Sequence, residues 1–173
     1  MKNLTLLFLL LFSFTAFSQT PTTGAPEPPV REPGDVISIF SGAYDDIPGT
    51  NLNPYWYQST VVTIEDIDGN STLKYASFNY QGTEFTSKNV SEYETLHLDM
   101  WTSDATTVNV YCISPGAEKG YSLTITPDTW VSYDIPLSYF SDVVDLTGVF
   151  QFKFDGGDGS PTIFLDNLYF YRA

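Results

Sequence analysis

The chain has 173 residues and carries 21 Asp+Glu against 7 Lys+Arg, which gives a formal net charge of −14. This length predicts one domain, and the 42% hydrophobic share is enough for a packed core. Such acidity argues against nucleic acid and against anionic membrane surfaces as partners, because both attract clustered Lys and Arg. The single cysteine, Cys112, excludes an internal disulfide and a cysteine-based zinc site.

Residues 1–18 are typical of a secretory signal peptide. Lys2 gives a positive start, residues 4–17 are almost uniformly apolar, and Ala16 and Ser18 supply the small residues of a cleavage site before Gln19. The apolar run is short for a membrane span, and no cysteine follows it that could carry a lipid. We therefore expect a secreted, extracellular or cell-surface protein that is neither a lipoprotein nor inserted in a membrane.

Residues 19–34 contain five of the eleven prolines. This composition favours an extended, solvated backbone, so the sequence predicts a Pro-rich linker that buries nothing. The domain is then expected at residues 35–173. It keeps all of the acidic residues except Glu27 and Glu32, so its charge is not diluted by the leader or the linker.

Alternation of apolar and polar residues with a period of two predicts β-strands, and no stretch shows helical periodicity. The predicted strands are, in chain order, 36–40, 60–64, 73–80, 95–101, 107–114, 122–126, 130–135, 149–155 and 163–171. Turn residues such as Asp68-Gly69 and Pro127-Asp128 separate them. Short strands at this spacing predict an all-β fold, a two-sheet antiparallel β-sandwich or jelly roll.

The alternation also divides each strand into two sides. Leu96, Leu98 and Met100 are predicted to face the core, and the opposite sides of the central strands are predicted to share one outer face. An ordinary solvated face would carry more Lys, Glu and Thr and fewer large rings. The predicted face comprises His97, Asp99, Trp101, Asn109, Tyr111, Gln151, Lys153 and Asp155.

Three consecutive aromatic residues follow Pro54, namely Tyr55, Trp56 and Tyr57. They cannot all point inward at the start of a strand, so at least one ring is expected to face solvent. Exposed rings are retained where a ligand stacks on them, and sugar rings suit this because their C–H faces pack on aromatic planes. The alternative is that Trp56 covers the edge of the sandwich.

Two tryptophans and the only histidine allow further interpretations. Trp101 either faces a ligand or is covered by loops, whereas Trp130 is predicted to lie in the core. His97 is the only histidine, which excludes a histidine cluster for a metal. No glycine-flanked serine accompanies it, so we interpret it as a hydrogen-bonding residue in or near the site.

Enzymatic activity is not predicted. The acidic segment 65–68 superficially resembles the catalytic strand of jelly-roll glucanases, but it lacks the second glutamate at alternating spacing and runs directly into a turn. Two alternatives to carbohydrate binding remain open. One is a structural or adhesion module that binds a protein partner, and the less favoured one is a small polysaccharide hydrolase or lyase.

A structural calcium ion is the expected cofactor. Asp166 lies within an otherwise apolar strand, where a buried carboxylate needs a partner and no Lys or Arg is near in sequence. Asp45 and Asp46 follow the first strand and are predicted to approach Asp166 if the terminal strands are adjacent. Carboxylate oxygens suit calcium in an exported protein.

These features together resemble a family, the non-catalytic jelly-roll carbohydrate-binding modules that accompany bacterial β-glucanases and surface glycan-binding proteins. The segments that carry the resemblance are 37–44, 53–60, 79–83, 96–102, 130–140, 152–156 and 165–170. The resemblance implies a galactose-binding-like sandwich that binds polysaccharide without cleaving it and holds calcium partly through Asp166. It also implies ligand-facing roles for Trp56, Gln58, Asp99 and Trp101.

The expected ligand is a polysaccharide, and a neutral β-glucan is preferred because the acidic surface repels anionic chains. Any glycan-degrading enzyme that acts with this protein is expected to be a separate chain. The predicted carbohydrate-binding residues are Tyr55, Trp56, Tyr57, Gln58, Asn79, His97, Asp99, Trp101, Tyr111, Lys153 and Asp155.

Overall fold

The computed structural model describes residues 19–173, and the predicted signal peptide lies outside them. Within that range the chain forms ten strands, two single 3₁₀ turns and no α-helix, so it contains no helix that is long and apolar enough to cross a membrane. The strands are β1 (Val36–Phe40), β2 (Val61–Ile67), β3 (Asn70–Ala76), β4 (Tyr80–Lys88), β5 (Thr95–Thr102), β6 (Asn109–Ser114), β7 (Ala117–Ser122), β8 (Val131–Pro136), β9 (Val149–Asp155) and β10 (Ile163–Tyr171).

The strands form two antiparallel sheets that pack face to face. The six-stranded sheet has the order β2-β3-β10-β5-β8, with β1 also paired to β10, and the four-stranded sheet has the order β4-β9-β6-β7. The predicted all-β jelly-roll sandwich is therefore confirmed. Its core lies between the sheets. Leu96, Leu98 and Met100 of β5 belong to one buried hydrophobic cluster with Val110 and Phe152 of the facing sheet, and all five are nearly inaccessible to solvent.

β10 is the central strand that organises the larger sheet. Its residues are buried on both faces, which explains why Ile163–Tyr171 reads as an almost continuous apolar run. A register shift falls at Asn167, whose φ of 51° lies in the left-handed region that asparagine tolerates. The first part of β10 pairs with β3, and the part after the shift pairs with β1.

Most predicted strands are present, but two predicted strands are wrong and two observed strands were not predicted. The predicted strand 73–80 is broken at Ser77, whose φ of 50° ends β3, and the chain crosses to the other sheet before β4 begins. The predicted strand 122–126 is not a strand, because β7 ends at Ser122. Residues 81–88 form most of β4 and were not predicted to be a strand. Most of β7 was also not predicted, because its sequence Ala117–Ser122 is polar and shows no clear alternation.

The Pro-rich segment 19–34 lies against the outer face of the six-stranded sheet. Pro21 is buried, and the backbone carbonyls of Thr23 and Pro26 accept hydrogen bonds from Trp130 Nε1 (2.9 Å) and Asn167 Nδ2 (2.9 Å). The guanidinium of Arg31 lies 3.7 Å from the centre of the Tyr171 ring. The prediction that this segment buries nothing is therefore wrong, because its free carbonyls serve as acceptors for side chains that are distant in sequence.

Candidate functional site

The outer face of the four-stranded sheet presents three rows of side chains across its strands. We call this surface the platform. Strand register defines the rows, and the residues that alternate with them, such as Gln81 and Val110, are buried beneath. The rows, from β4 to β7, are Tyr80-Asp155-Asn109-Ser122, Gly82-Lys153-Tyr111-Gly120 and Glu84-Gln151-Ile113-Glu118.

Trp56 lies over the first position of the middle row. A Cβ atom added to Gly82 would meet atoms of the six-membered ring of Trp56 at 2.6–2.7 Å, so the indole rests directly on the backbone of β4. Its Nε1 donates a hydrogen bond to Glu84 Oε1 (2.9 Å), which fixes the rotation of the ring. The absence of a side chain at Gly82 therefore gives the indole its place on the sheet.

The loop that carries Trp56 is held by polar side chains. Gln58 accepts a hydrogen bond from Trp56 N (2.6 Å) and donates to Pro54 O (2.8 Å), and Tyr80 Oη donates to Trp56 O (2.6 Å). Asn79 Oδ1 accepts from the backbone N–H groups of residues 59 and 60. Gln58 and Asn79 were predicted to contact sugar, and the structure shows them occupied in positioning the loop.

Tyr111 repeats this arrangement at the other end of the middle row. A Cβ atom on Gly120 would lie 2.6 Å from Tyr111 Cζ, so this ring also lies on a glycine of the neighbouring strand. Lys153 Nζ lies 4.0 Å from the ring centre and forms an ion pair with Glu118 (2.6 Å). Because Gly120 occupies the sheet side of the ring, the ammonium group covers its solvent side.

Carboxylates frame the two rings and give the platform a net negative charge. Glu84 Oε1 accepts from Trp56 and from Gln151 Nε2 (3.2 Å), and Asp155 Oδ1 accepts from Asn109 Nδ2 (2.9 Å). The three carboxylates of Glu84, Asp155 and Glu118 outnumber the single ammonium group of the rows, that of Lys153. Flat rings beside hydrogen-bonding carboxylates and amides suit a polar, uncharged ligand with apolar C–H faces.

The structure separates the predicted site residues into two groups. Trp56, Tyr111, Lys153 and Asp155 meet on or over the platform, with Tyr55 and Tyr57 at its edge. His97, Asp99 and Trp101 lie on β5 of the other sheet. The prediction of a single shared face is therefore wrong, because period-two alternation shows which residues point outward but not which sheet a strand joins.

The β5 residues are covered by the N-terminal segment and by neighbouring side chains. Trp101 is 5% exposed and packs edge-on against Phe164. Of the two alternatives, a ring that faces a ligand and a ring that is covered, the structure shows the covered ring. Asp99 is 1% exposed and accepts hydrogen bonds from Asn167 Nδ2 (2.7 Å) and from Ser132 Oγ. Trp130, predicted to be in the core, is instead half-buried beneath the segment.

His97 is the central polar residue of this covered face. Its ring stacks on Tyr169 at 4.7 Å, and its Nδ1 lies 2.7 Å from Asp134 Oδ1. Burial alone would lower the pKa of His97, but hydrogen bonds to Asp99 and Asp134, together with their charges, outweigh it and raise the pKa above the ordinary value of 6.5. The imidazole of His97 is therefore engaged by Asp134 and Tyr169, and its charged form is favoured more than in a free imidazole.

The raised pKa makes part of the stability depend on pH. The charged form of His97 is favoured in the folded state, so its contribution is complete below about pH 6.5 and is lost as the pH rises through the folded-state pKa. We expect His97→Gln to reduce the free energy of unfolding more at pH 6 than at pH 8.5. Urea unfolding of both proteins at the two pH values measures this, and an equal loss at both would contradict it.

Two of the three predicted calcium ligands, Asp46 and Asp166, are close enough for their charges to interact. The terminal strands β1 and β10 are adjacent, which is the condition on which the prediction depended, and the charge of Asp46 helps to raise the pKa of Asp166. However, Asp166 accepts N–H donors from Asn70 and Asn167, Asp46 accepts from Ser38 and Ser41, and Asp45 is exposed. Within residues 19–173 no three His, Cys, Asp or Glu side chains converge as metal ligands.

Burial raises the pKa of Asp166 to about 6, against the opposing effect of its two N–H donors. The carboxyl group therefore takes up a proton at a higher pH than an ordinary aspartate does, and a nearby cation would oppose this shift of the pKa. Calcium at Asp166 stays a prediction of the sequence. Comparing the melting temperature with and without a chelator tests it, since an unchanged value would count against a structural ion.

The platform depends on residues that sequence reasoning missed. Glu84, Tyr80 and the two ring-bearing glycines, Gly82 and Gly120, were not predicted as site residues. A glycine inside a strand often marks a close approach of another group, and this was the available signal. The partner that approaches each glycine depends on strand pairing, which the sequence does not display.

Substitution of Gly82 tests whether its backbone supports Trp56. In Gly82→Ala the new methyl group would stand 2.6–2.7 Å from the indole, so the ring must move away from the sheet. We expect a change in the tryptophan fluorescence maximum, because the indole loses its support on the sheet. Gly148→Ala is the matched control, because its added Cβ meets no atom closer than 3.9 Å. Equal fluorescence maxima of Gly82→Ala and Gly148→Ala would contradict the support of Trp56 by the Gly82 backbone.

No protein-family model matches the sequence, and no curated protein sequence matches it. Comparison of folds does find similar solved structures. One is the family 11 carbohydrate-binding module of Clostridium thermocellum in complex with a β-1,3-1,4-mixed-linked tetrasaccharide. It has a TM-score of 0.52 and 19% identity, over 72% of this chain and 85% of that one.

Family 29 carbohydrate-binding modules show the same likeness. A mutant of one such module has a TM-score of 0.53 and 15% identity, over 78% of this chain and 89% of that one. Another mutant, complexed with mannohexaose, has a TM-score of 0.52 and 17% identity with the same coverage. The chain therefore has the jelly-roll β-sandwich fold of non-catalytic carbohydrate-binding modules, as its sequence predicts.

Proposed function

We propose that the protein binds a neutral polysaccharide on the platform of its four-stranded sheet and does not cleave it. The observation that carries this proposal is the indole of Trp56, which lies flat on Gly82 with its N–H fixed by Glu84. A ring held in this way offers a rigid stacking surface at little cost in conformational entropy. Glu84, Gln151 and Asp155 lie beside it and supply hydrogen-bonding groups for hydroxyls.

The charge of the platform supports a neutral ligand. Its rows carry Glu84, Glu118 and Asp155 against Lys153 alone, and the chain as a whole has a charge of −14. Uronate or sulfate groups would be repelled by such a surface. A mixed-linkage β-glucan is our first candidate, and a mannan is the second, because structurally similar modules are complexed with a β-1,3-1,4-mixed-linked tetrasaccharide and with mannohexaose.

Catalysis is not part of the proposal. Each carboxylate of the rows has a hydrogen-bonding partner that holds it: Trp56 for Glu84, Asn109 for Asp155 and Lys153 for Glu118. A glycosidase needs one carboxyl group that remains protonated and a second one placed across the scissile bond.

We also propose that the protein is exported, which supports an extracellular glycan as the ligand.

Affinity electrophoresis tests the proposal. The protein is run through gels that contain mixed-linkage β-glucan, mannan or alginate, and retardation by a neutral polymer but not by alginate is expected. Retardation by none of the neutral polymers would contradict carbohydrate binding. Release of reducing ends or unsaturated products from any polymer would contradict a non-catalytic role.

A further inference from the structure

Two tyrosines at the edge of the platform are exposed far beyond what folding requires. Tyr55 and Tyr57 are 75% and 83% exposed, and their ring centres lie 4.9 Å apart. Exposed aromatic pairs of this kind mark interaction surfaces more often than isolated exposed residues do. Neither tyrosine contributes to the core, so a reason for them must be sought outside folding.

The position of the pair follows from the path of residues 51–60. Asn51 pairs with Glu84, and Thr60 Oγ1 donates to Tyr80 O (2.8 Å), so this segment runs along the free edge of β4. Trp56, at its middle, directs its ring inward over Gly82. The exposed side chains on either side of Trp56 therefore lie beyond the edge of the sheet, in continuity with the platform.

The backbone at Tyr57 is strained. Its φ of 64° lies in the left-handed region, which glycine or asparagine adopts more readily than a bulky residue does. The hydrogen bonds of Gln58 to Trp56 N and Pro54 O hold the loop in this shape. A glycine at this position would satisfy the same backbone, so the exposed phenol ring is unexplained by stability and points to a functional use.

We propose that Tyr55 and Tyr57 form an edge subsite that receives the polysaccharide chain where it leaves the platform past Trp56. This inference rests on the proposed function. The rings of Tyr111 and Trp56 lie over β7 and β4, three strand spacings or about 14 Å apart. The edge subsite extends the line from Tyr111 to Trp56 beyond the sheet. A polysaccharide chain therefore fills the edge subsite only if it is longer than a chain that covers the platform alone.

The test compares a short and a long form of one ligand. Dissociation constants for the mixed-linkage β-1,3-1,4-tetrasaccharide and for the mixed-linkage polymer are measured by titration calorimetry, with Tyr55→Ala, Tyr57→Gly and the wild type. We expect both variants to lose roughly five- to tenfold in affinity for the polymer and to bind the tetrasaccharide unchanged. The melting temperature of Tyr57→Gly should equal or exceed that of the wild type.

Ile64→Ala is the matched control, because Ile64 is 56% exposed on β2 of the other sheet. It should bind both sugars as the wild type does. Unchanged polymer affinity in both tyrosine variants would overturn the edge subsite, and so would an equal loss for both sugars or a lower melting temperature of Tyr57→Gly. If the wild type binds neither sugar, the titrations are repeated with mannohexaose and mannan as the short and long ligands. Failure with both pairs of sugars contradicts the proposed function itself, whatever the variants do.

Discussion

Trp56→Ala is expected to lose retention by mixed-linkage β-glucan, with an increase in the dissociation constant of about 30-fold or more. The reason is geometric. The indole is the larger of the two rings placed flat on glycines, and no cation among residues 19–173 covers it as Lys153 covers Tyr111. Its removal takes away the stacking surface and frees Glu84, whose carboxylate loses its Nε1 donor.

The domain itself should survive this substitution. Trp56 is half-buried at the surface and lies outside the core cluster, so the losses are one hydrogen bond and part of a ring contact, about 1–2 kcal/mol. Trp130→Ala is the matched control, because it removes an indole of similar exposure from the other sheet. It should leave binding unchanged. If every neutral glycan that retains the wild type also fully retains Trp56→Ala, the platform is not the glycan-binding surface.

Removal of residues 19–34 is expected to destabilise the fold strongly. The segment accepts hydrogen bonds from Trp130, Asn167 and Tyr44, and all three of these bonds would be lost. At about 1 kcal/mol for each hydrogen bond, and with Trp101 uncovered, the free energy of unfolding should fall by about 3 kcal/mol or more. This corresponds to a decrease in melting temperature of about 10 °C for a domain of this size.

The measurement compares two chains that begin at residues 19 and 35, using thermal unfolding followed by circular dichroism. Val30→Ser in the longer chain is the control, because the Val30 side chain is fully exposed within the segment and should not affect stability. Equal melting temperatures of the two chains would show that the segment does not pack on the sheet in solution. In that case the linker predicted from the prolines would be the correct description.

The sequence predicts the class of fold well because strand alternation is a local property. Leu96, Leu98 and Met100 alternate with polar neighbours, and all three lie in the core. The assignment of strands to sheets is not local. β5 shows the same alternation as β6 and β9, yet it joins the other sheet, and this separates Trp101 from Tyr111.

The candidate site is only partly predictable for a related reason. An exposed aromatic at residues 55–57 follows from local sequence, since three rings cannot all be buried there. That Trp56 rests on Gly82, 26 positions later, depends on how the loop runs beside β4. The bonds of Gln58 to the loop backbone could not be foreseen, because an amide in a sequence looks the same whether it binds a ligand or a backbone.

The packing of residues 19–34 has a consequence for the valency of the protein. A β-sandwich has two broad faces, and here the segment covers Trp101 and Asn167 on one of them, which leaves the platform as the open one. Under the proposed function, a domain with a single open face engages one glycan chain at a time. Cross-linking of chains, or avidity for a surface with many of them, would therefore require several copies of the domain to be held together.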